Sequence, residues 1–314
     1  MIAILTIVAP VFALIAIGYG AGRSGYLSQE ATKGLSQFVF NLAIPSMLFH
    51  KMATANLPAS PPWGLWAAYF GAAALTWALA ASATRWLLRR PAADGASIAM
   101  SSMFGNVVML GIPLALGTFG DAAAVPIALL VAIHSPLLWL LATAHMEVAD
   151  TEGDVRPLTM LTHLVQDLAR NPIILALFAG IAWRLLGLPL PDVVERTLRL
   201  LGEAGVPGAL VALGLSLTGF RIAGQLPTLA TINVLKLAAM PVFAWVLAGP
   251  VFALDRVDAG VVVLFAAMPT GANAFLFATR YQRAANSASG AVALGTVLAA
   301  LTVSALVAIL AFGP

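Results

Sequence analysis

Residues 104–117 read FGNVVMLGIPLALG and lie inside an apolar run long enough to cross a bilayer. The run carries Gly105, Asn106, Gly111 and Pro113, all of which are poor helix formers. Proline removes a backbone donor and clashes with the preceding turn, so it kinks or breaks a helix. Because lipid cannot satisfy the freed backbone groups, such a break persists only where protein or water does. The stretch therefore predicts a broken membrane helix at a functional position.

The composition of the chain is that of a helical membrane protein. Of its 314 residues, 61% are hydrophobic and only 9% are charged, whereas soluble domains are about 25% charged. The apolar runs are continuous rather than alternating, which argues against a β-barrel. The sequence contains no cysteine, which excludes disulfide and thiolate chemistry. The net charge of +3 is spread along the chain, so it indicates membrane topology and not a nucleic-acid surface.

Hydropathy and helix breakers predict ten membrane spans of about 20 residues each. The first run lacks a basic n-region and its apolar core is longer than a signal peptide needs, so we interpret it as a retained span. The spans lie at 2–22, 34–54, 63–88, 95–117, 122–146, 172–188, 196–219, 226–251, 258–280 and 286–312.

Lysine and arginine positions predict the orientation of these spans. With the N-terminus outside, ten of the sixteen basic residues fall on the cytoplasmic side, five fall outside, and Lys236 lies within the bilayer. The positive-inside rule therefore favours a multi-pass protein of the bacterial inner membrane with both termini outside.

The polar stretch 147–171 divides the spans into two groups of five. It begins acidic, becomes amphipathic over 158–168, and is cytoplasmic in this topology. We therefore predict a first five-helix repeat at 1–146, a linker at 147–171 and a second repeat at 172–314. An odd number of spans in each half requires the second repeat to run inverted.

The second half contains a break that matches the first. Its fourth span contains MPTGANAF at 268–275, with Pro269, Gly271 and Asn273. Interrupted helices at corresponding positions of two halves indicate a transporter's binding site. Half-helix N-termini attract anions, glycine permits close approach, and asparagine adds uncharged donors and an acceptor. The two breaks together predict an anion site near the bilayer centre. The alternative is that these residues are tolerated kinks.

Six stretches, taken together, resemble the auxin efflux carrier family, which includes plant carriers and bacterial malate- or malonate-permease-like proteins. The resemblance implies a fold like that of the bile-acid sodium symporters, with two inverted five-helix repeats whose broken helices 4 and 9 cross. It also implies scaffold helices 1, 2, 6 and 7, transport helices 3–5 and 8–10, a homodimer and an elevator-type movement. The matching stretches are NLAIPSMLF (41–49), GNVVMLGIPLALGTFG (105–120), HSPLLW (134–139), RNPIILALFAGI (170–181), KLAAMP (236–241) and AAMPTGANAFLFATRY (266–281).

The asparagines of the two breaks are the first substrate-binding candidates, together with Gly105 and Gly271. The resemblance implies that the amide of Asn106 faces the substrate carboxylate, although an asparagine there can also cap a half-helix. Plant carriers have apolar residues near the position of Asn273, so this residue either binds substrate or satisfies freed backbone groups.

Two other polar residues fall within spans. His134 stands where the plant sequences have glutamine; it can hydrogen-bond a carboxylate, titrate, or be an interior histidine with a structural bond. Lys236 is a functional hypothesis because a basic residue is costly in lipid. It can attract an anionic substrate, replace a sodium ion as a fixed cation, or pair with a carbonyl or with Glu203.

Four residues fall in the predicted scaffold, where we expect a hinge or packing role, with substrate lining as the alternative for those in the second and seventh spans. Asn41 and Pro45 break the second span, and Pro207 lies in its counterpart, the seventh. Asn171 begins NPIIL, which differs from the plant NPNTY motif at the second asparagine, and this departure weakens the case for auxin itself as the substrate.

These patterns predict a secondary transporter of small organic anions such as malate, malonate or auxin-like acids. Neither a phosphate-binding loop nor metal-ligand spacing is present, and no catalytic set can be proposed, so we expect no enzyme and no cofactor. Coupling to protons or sodium stays open, and we expect lipid and a second copy as partners. One alternative is a sodium-coupled importer of bile-acid type, using Ser101, Ser102 and Thr270; the other is an anion receptor that does not transport.

Overall fold

A computed structural model describes residues 2–54, 62–149, 166 and 169–312, and within this part all regular elements are helices. The α-helices are α1 Ile2–Arg23, α2 Gln29–Phe38, α3 Ile44–Thr54, α4 Trp63–Trp86, α5 Ala92–Met103, α6 Ile112–Phe119, α7 Ala124–Ala149, α8 Pro172–Leu186, α9 Asp192–Leu217, α10 Leu226–Val234, α11 Met240–Val246, α12 Arg256–Ala266, α13 Ala272–Arg280 and α14 Ala285–Phe312. π-Helical turns occupy Val39–Ala43, Val107–Gly111, Leu235–Ala239 and Leu247–Val251, and a 3₁₀ turn occupies Gly120–Ala123.

Five helical stretches in the described part are long and apolar enough to cross a bilayer. Two shorter apolar helices, Val8–Arg23 and Pro172–Leu186, accompany them. An all-helical chain of this hydropathy fits the predicted membrane protein class. The predicted amphipathic segment 158–168 lies almost entirely outside the described residues. The five long stretches are Trp63–Trp86, Val107–Ala149, Asp192–Leu217, Leu226–Val251 and Ala285–Leu310.

The described residues belong to two compact units. Unit 1 comprises Met1–Pro62, Val108–Ile133 and His163–Gly219, and unit 2 comprises Trp63–Val107, His134–Thr162 and Phe220–Pro314. Residues 108–133, which the resemblance assigns to transport helices 4 and 5, thus group with unit 1. The division into scaffold and transport helices stays a prediction.

Glycines hold the helices of unit 1 close together. A Cβ on Gly214 of α9 would overlap the Ile15 carbonyl of α1, and a Cβ on Gly180 of α8 would lie 2.7 Å from the Phe49 carbonyl of α3. Small residues allow such backbone approach where lipid offers no hydrophobic drive for helix association. An ion pair between Lys51 and Asp121 also lies within this unit.

The centre of unit 2 is formed by two short helices that are buried on all sides. Eleven consecutive residues of α5, from Ala93 to Met103, are buried, and so are Gly260 to Ala266 of α12. A helix with one polar face could not be enclosed in this way. In α5 the enclosure is possible because the helix consists mainly of alanine, serine, glycine and methionine. Both helices end at the interruptions predicted from the sequence.

Candidate functional site

The two interruptions cross each other as short extended segments. Helix α5 ends at Met103 and the chain becomes helical again at Val107, while α12 ends at Ala266 and α13 begins at Ala272. Gly105 and Thr270 form an isolated antiparallel bridge. The Asn106 amide donates to the Pro269 carbonyl at 2.8 Å, and the Gly271 amide donates to the Phe104 carbonyl at 2.9 Å. Each break thus satisfies backbone groups that the other has freed, as an interruption at membrane depth requires.

Glycine allows the two segments to approach. A Cβ on Gly105 would lie 3.2 Å from Met268 Cβ and 3.3 Å from the Phe265 carbonyl oxygen, and one on Gly271 would lie 3.2 Å from the Gly105 carbonyl oxygen. Any larger residue at either position would have to push the partner segment away. The role of these two glycines is therefore first of all steric.

The residues of the first break do not all lie where its helix is interrupted. The interruption covers 104–106, whereas Gly111 ends a π-helical turn and Pro113 is the second residue of α6. A π turn lengthens the hydrogen-bonded ring by one residue, which makes room for the missing donor and the ring of a following proline. In the second break, Pro269 lies in the interruption itself.

Lys236 is fully buried beside the crossing. Its Nζ donates to the Ala266 carbonyl at 2.7 Å and contacts Met240 Sδ at 3.0 Å. A Cβ on Gly105 would lie 3.3 Å from the same ammonium. Ala266 is the last residue of α12, where unpaired carbonyls carry partial negative charge, so the ammonium complements this helix end. Of the roles expected for Lys236, the structure shows the pairing with a carbonyl.

His134 of α7 lies on the same unit and is also buried. Its Nδ1 is 3.0 Å from the Tyr69 hydroxyl, and its ring centroid is 4.6 Å from that of Phe104 in the first break. The imidazole also lies against the backbone of Gly105 in the first break. The histidine thus bonds Tyr69 on one side and faces the first break on the other, which leaves both sequence-based interpretations open.

The side-chain amides of the two asparagines are differently placed. Asn106 is 9% exposed, and its amide side chain makes no hydrogen bond to the described residues. Asn273 is half-buried in the first turn of α13. Because Asn106 directly precedes the π turn that restarts its helix, its side chain lies at a half-helix N-terminus, where a carboxylate is electrostatically favoured.

The hydroxyl groups considered as sodium ligands are engaged by carbonyls. Thr270 Oγ1 donates to the Ser101 carbonyl at 2.8 Å, and the hydroxyls of Ser101 and Ser102 donate to carbonyls one turn earlier in α5. No aspartate or glutamate occurs in residues 100–110 or 262–275. The two breaks thus lie beside a cation and contain no acidic residue of their own.

The predicted scaffold residues lie in unit 1. Asn41 is exposed in the π turn that precedes α3, Pro45 is buried in α3, and Pro207 is exposed inside α9. Asn171 is the N-cap of α8, and its Oδ1 accepts from the amides of Ile173 and Ile174 at 3.0 and 3.4 Å. Capping accounts for an Asn-Pro pair at this position, because proline is favoured as the first helical residue.

Comparison with known proteins bears on what this crossing does. The profile of a family described as "Membrane transport protein" matches residues 3–307. The chain belongs to this family. The match confirms the resemblance to the auxin efflux carriers noted in the sequence. Over 314 residues the chain is 27% identical to a Rhizobium meliloti (strain 1021) protein named "Putative malonate transporter", with 100% of this chain and 98% of that protein covered.

The structure adds two residues of this membrane transport protein that the sequence patterns did not indicate. Tyr69 provides the hydroxyl that faces His134. Asn233, one turn before Lys236, donates from Nδ2 to the Leu229 carbonyl at 2.9 Å, while its Oδ1 is buried without a partner in the described residues. Polar residues inside apolar spans were the available signal for both.

Proposed function

We propose that this membrane transport protein is a secondary transporter of small organic anions, with mono- and dicarboxylates such as malate and malonate as the expected substrates. The observation that carries the proposal is the crossing of two broken helices beside a fully buried lysine, with no acidic residue in either break. Such a site favours negative charge from several directions, and desolvation strengthens each interaction. The name of the relative makes malonate the first substrate to test.

In this proposal one carboxylate binds at the crossing. Asn106 and Asn273 donate hydrogen bonds from their side chains, and the N-termini at Val107 and Ala272 add partial positive charge. Lys236, whose ammonium lies beside Gly105, adds positive charge. His134, whose ring packs against Phe104 of the first break, adds a polar group beside the crossing.

The proposed transport cycle follows from the predicted architecture. Ten spans in two inverted repeats would place the crossing near the bilayer centre, and an elevator-type movement of the transport helices would carry the bound anion across a homodimeric scaffold. With the interior negative, the membrane potential drives an anion outward by about 2.3 kcal/mol per charge per 100 mV. Export can therefore proceed uncoupled, whereas import requires a co-transported cation.

Currents from proteoliposomes on a solid support test this proposal. Malonate, malate and monocarboxylates are applied in turn, with and without sodium and proton gradients, to wild type and to Asn106→Ala. The matched control is Ser102→Ala, which removes a buried polar group of the same broken helix whose hydroxyl bonds only within that helix. We expect a saturable carboxylate current that is reduced about tenfold or more in Asn106→Ala, since a lost charge-assisted hydrogen bond has this effect.

The alternatives predict different results in the same experiment. A sodium-coupled importer would give a current that requires sodium, and a receptor would bind carboxylate without current or tracer flux. An equal current from Asn106→Ala and wild type would contradict the proposed site while leaving transport itself intact. Folded protein that moves no carboxylate in either current or tracer measurements would contradict the proposed substrate class.

A further inference from the structure

A polar cavity of about 450 Å³ lies at one end of unit 2, away from the crossing. It forms where three loops meet: the one between α4 and α5, the one before α10, and the one between α13 and α14. None of its lining residues is acidic, and this inference does not depend on the proposed transport function. The lining residues are Arg90, Gly224, Gln225, Gln282, Ala284, Ala285, Asn286 and Ser287.

Arg90 is the charged residue of the lining, and its guanidinium is held in place. Its Nε donates to Asp94 Oδ2 at 2.9 Å, and its Nη1 donates to Thr228 Oγ1 at 3.4 Å. A guanidinium has five N–H donors, so these two bonds fix its orientation and leave donors for a ligand. A positioned guanidinium edge is the geometry that binds the paired oxygens of a phosphate or carboxylate.

Two helices begin at the same cavity. Gln225 precedes the first residue of α10, and Ala285, Asn286 and Ser287 are the first three residues of α14. First-turn amides have no acceptor within their own helix and carry partial positive charge. A Cβ on Gly224, whose φ is +110°, would lie 2.9 Å from Ser287 Oγ, so the two helix starts are packed directly against each other.

The loop before α14 forms part of the wall of the same cavity. Gln282 and Ala284 have φ values of +54° and +51°. The amides of Gln282 and Arg283 donate to the carbonyls of Thr279 and Ala278 at the end of α13, so these two amides are not free for a ligand. The donors that converge on the cavity are therefore the Arg90 side chain and the two helix starts.

We propose that this cavity binds the phosphate group of a ligand. A phosphate presents more acceptor oxygens than a carboxylate and so can use the guanidinium and both helix starts together. A phospholipid headgroup and a soluble phosphate share this chemistry. The surroundings suit a headgroup. Trp86, the last residue of α4, is 76% exposed, and the guanidinium of Arg85 lies 5.6 Å from its ring centroid. The guanidinium of Arg280 lies 5.8 Å from the ring centroid of Tyr281, which is half-buried. Tryptophan, tyrosine and arginine are typical of the headgroup depth.

Thermal unfolding of the purified full-length chain, followed by tryptophan fluorescence, tests the proposal in two arms. One arm titrates sodium phosphate against sodium chloride at equal ionic strength. The other titrates phosphatidylglycerol against diacylglycerol, which lacks the phosphate group, in the same detergent. We expect a saturable rise in the unfolding temperature of wild type with at least one phosphate ligand. A response to phosphatidylglycerol alone names a lipid headgroup, and a response to inorganic phosphate names a soluble ligand.

Three variants connect the response to the cavity. Arg90→Gln should weaken the apparent affinity for the phosphate ligand about tenfold, because it removes the charged guanidinium. Asn286→Asp should have a similar effect, because its carboxylate repels phosphate at the start of α14. Arg89→Gln, the adjacent arginine outside the lining, should respond like wild type. Asn286→Asp is also expected to fold normally, because an acidic residue in the first turn of α14 stabilises the helix. The proposal is overturned if neither ligand stabilises wild type, or if all three variants respond as wild type does.

Discussion

At the scale of single residues, Lys236 is the most informative position in this membrane transport protein. A fully buried ammonium with one carbonyl and one thioether as its neighbours is poorly compensated, because a charge is costly to remove from water. A residue kept for stability alone would be expected to have better partners. Because the charge of the buried ammonium is incompletely compensated, an anionic ligand at the crossing would stabilise it.

We therefore predict that Lys236→Met lowers carboxylate uptake about tenfold or more while the unfolding temperature stays unchanged or rises. Methionine has similar length, and replacing a buried charge with an apolar group is often neutral or stabilising. Tracer uptake in proteoliposomes and thermal unfolding of the same preparation measure both effects. Met240→Leu, which removes only the thioether contact, should keep near-normal uptake. Normal uptake by Lys236→Met would show that the lysine is structural.

His134 offers a second prediction at this scale. His134→Gln should keep a hydrogen bond to Tyr69 and remain close to wild type in stability, as the glutamine of the plant carriers suggests. His134→Leu should lower the free energy of unfolding by about 1–3 kcal/mol, because the buried Tyr69 hydroxyl loses its partner. Chemical denaturation measures this loss. In Tyr69→Phe/His134→Leu the two losses should not add, and full additivity would mean that the pair does not interact.

At the scale of the elements, the crossing depends on how closely the two interrupted segments approach. The reciprocal bonds of Asn106 with Pro269 and of Gly271 with Phe104 require the backbones to lie side by side. Side chains at the two glycines would separate them. We therefore expect the site to be sensitive to added volume at Gly105 and Gly271.

Gly105→Ala should destabilise the protein by about 1–3 kcal/mol, the usual cost of overpacking a close-packed site. The added methyl would lie 3.2–3.3 Å from Met268, Lys236 and Phe265, so these neighbours would have to move by a few tenths of an ångström. Thermal unfolding compares it with Gly20→Ala in α1, where the added Cβ meets nothing within 4 Å and helix propensity improves. Equal unfolding temperatures for the two variants would show that the crossing has room for the added methyl group.

At the scale of the whole molecule, the orientation in the membrane can be tested cleanly because the chain has no cysteine. The proposed ten spans place residue 24 in the cytoplasm and the end of the sixth span, at residue 188, on the outer side. A membrane-impermeant maleimide added to intact cells should therefore label Leu188→Cys and not Ser24→Cys, whereas both should react after the cells are permeabilised. The reverse pattern would invert the proposed orientation. Labelling of both in intact cells would show that residues 24–188 contain an even number of spans.

The sequence and the tertiary structure determine different features of this protein. The hydropathy of the sequence was enough to predict a helical membrane protein, because few structures satisfy all backbone hydrogen bonds in lipid. Proline and glycine were enough to locate two interrupted helices, because their effects on a helix are local. The exact limits of the first interruption were not predictable, since the π turn at Val107–Gly111 absorbs Gly111 and Pro113 into a continuing helix.

The partners of the polar residues were decided by the tertiary structure. The sequence marked His134 and Lys236 as unusual because polar side chains are costly in an apolar span. It could not indicate that they would meet Tyr69 and the Ala266 carbonyl, which are 65 and 30 residues away along the chain. The cost of burying a polar side chain depends on that residue and on how apolar its surroundings are, so it can be predicted from the sequence. A hydrogen bond between distant segments depends on how helices pack, and only the folded chain determines that.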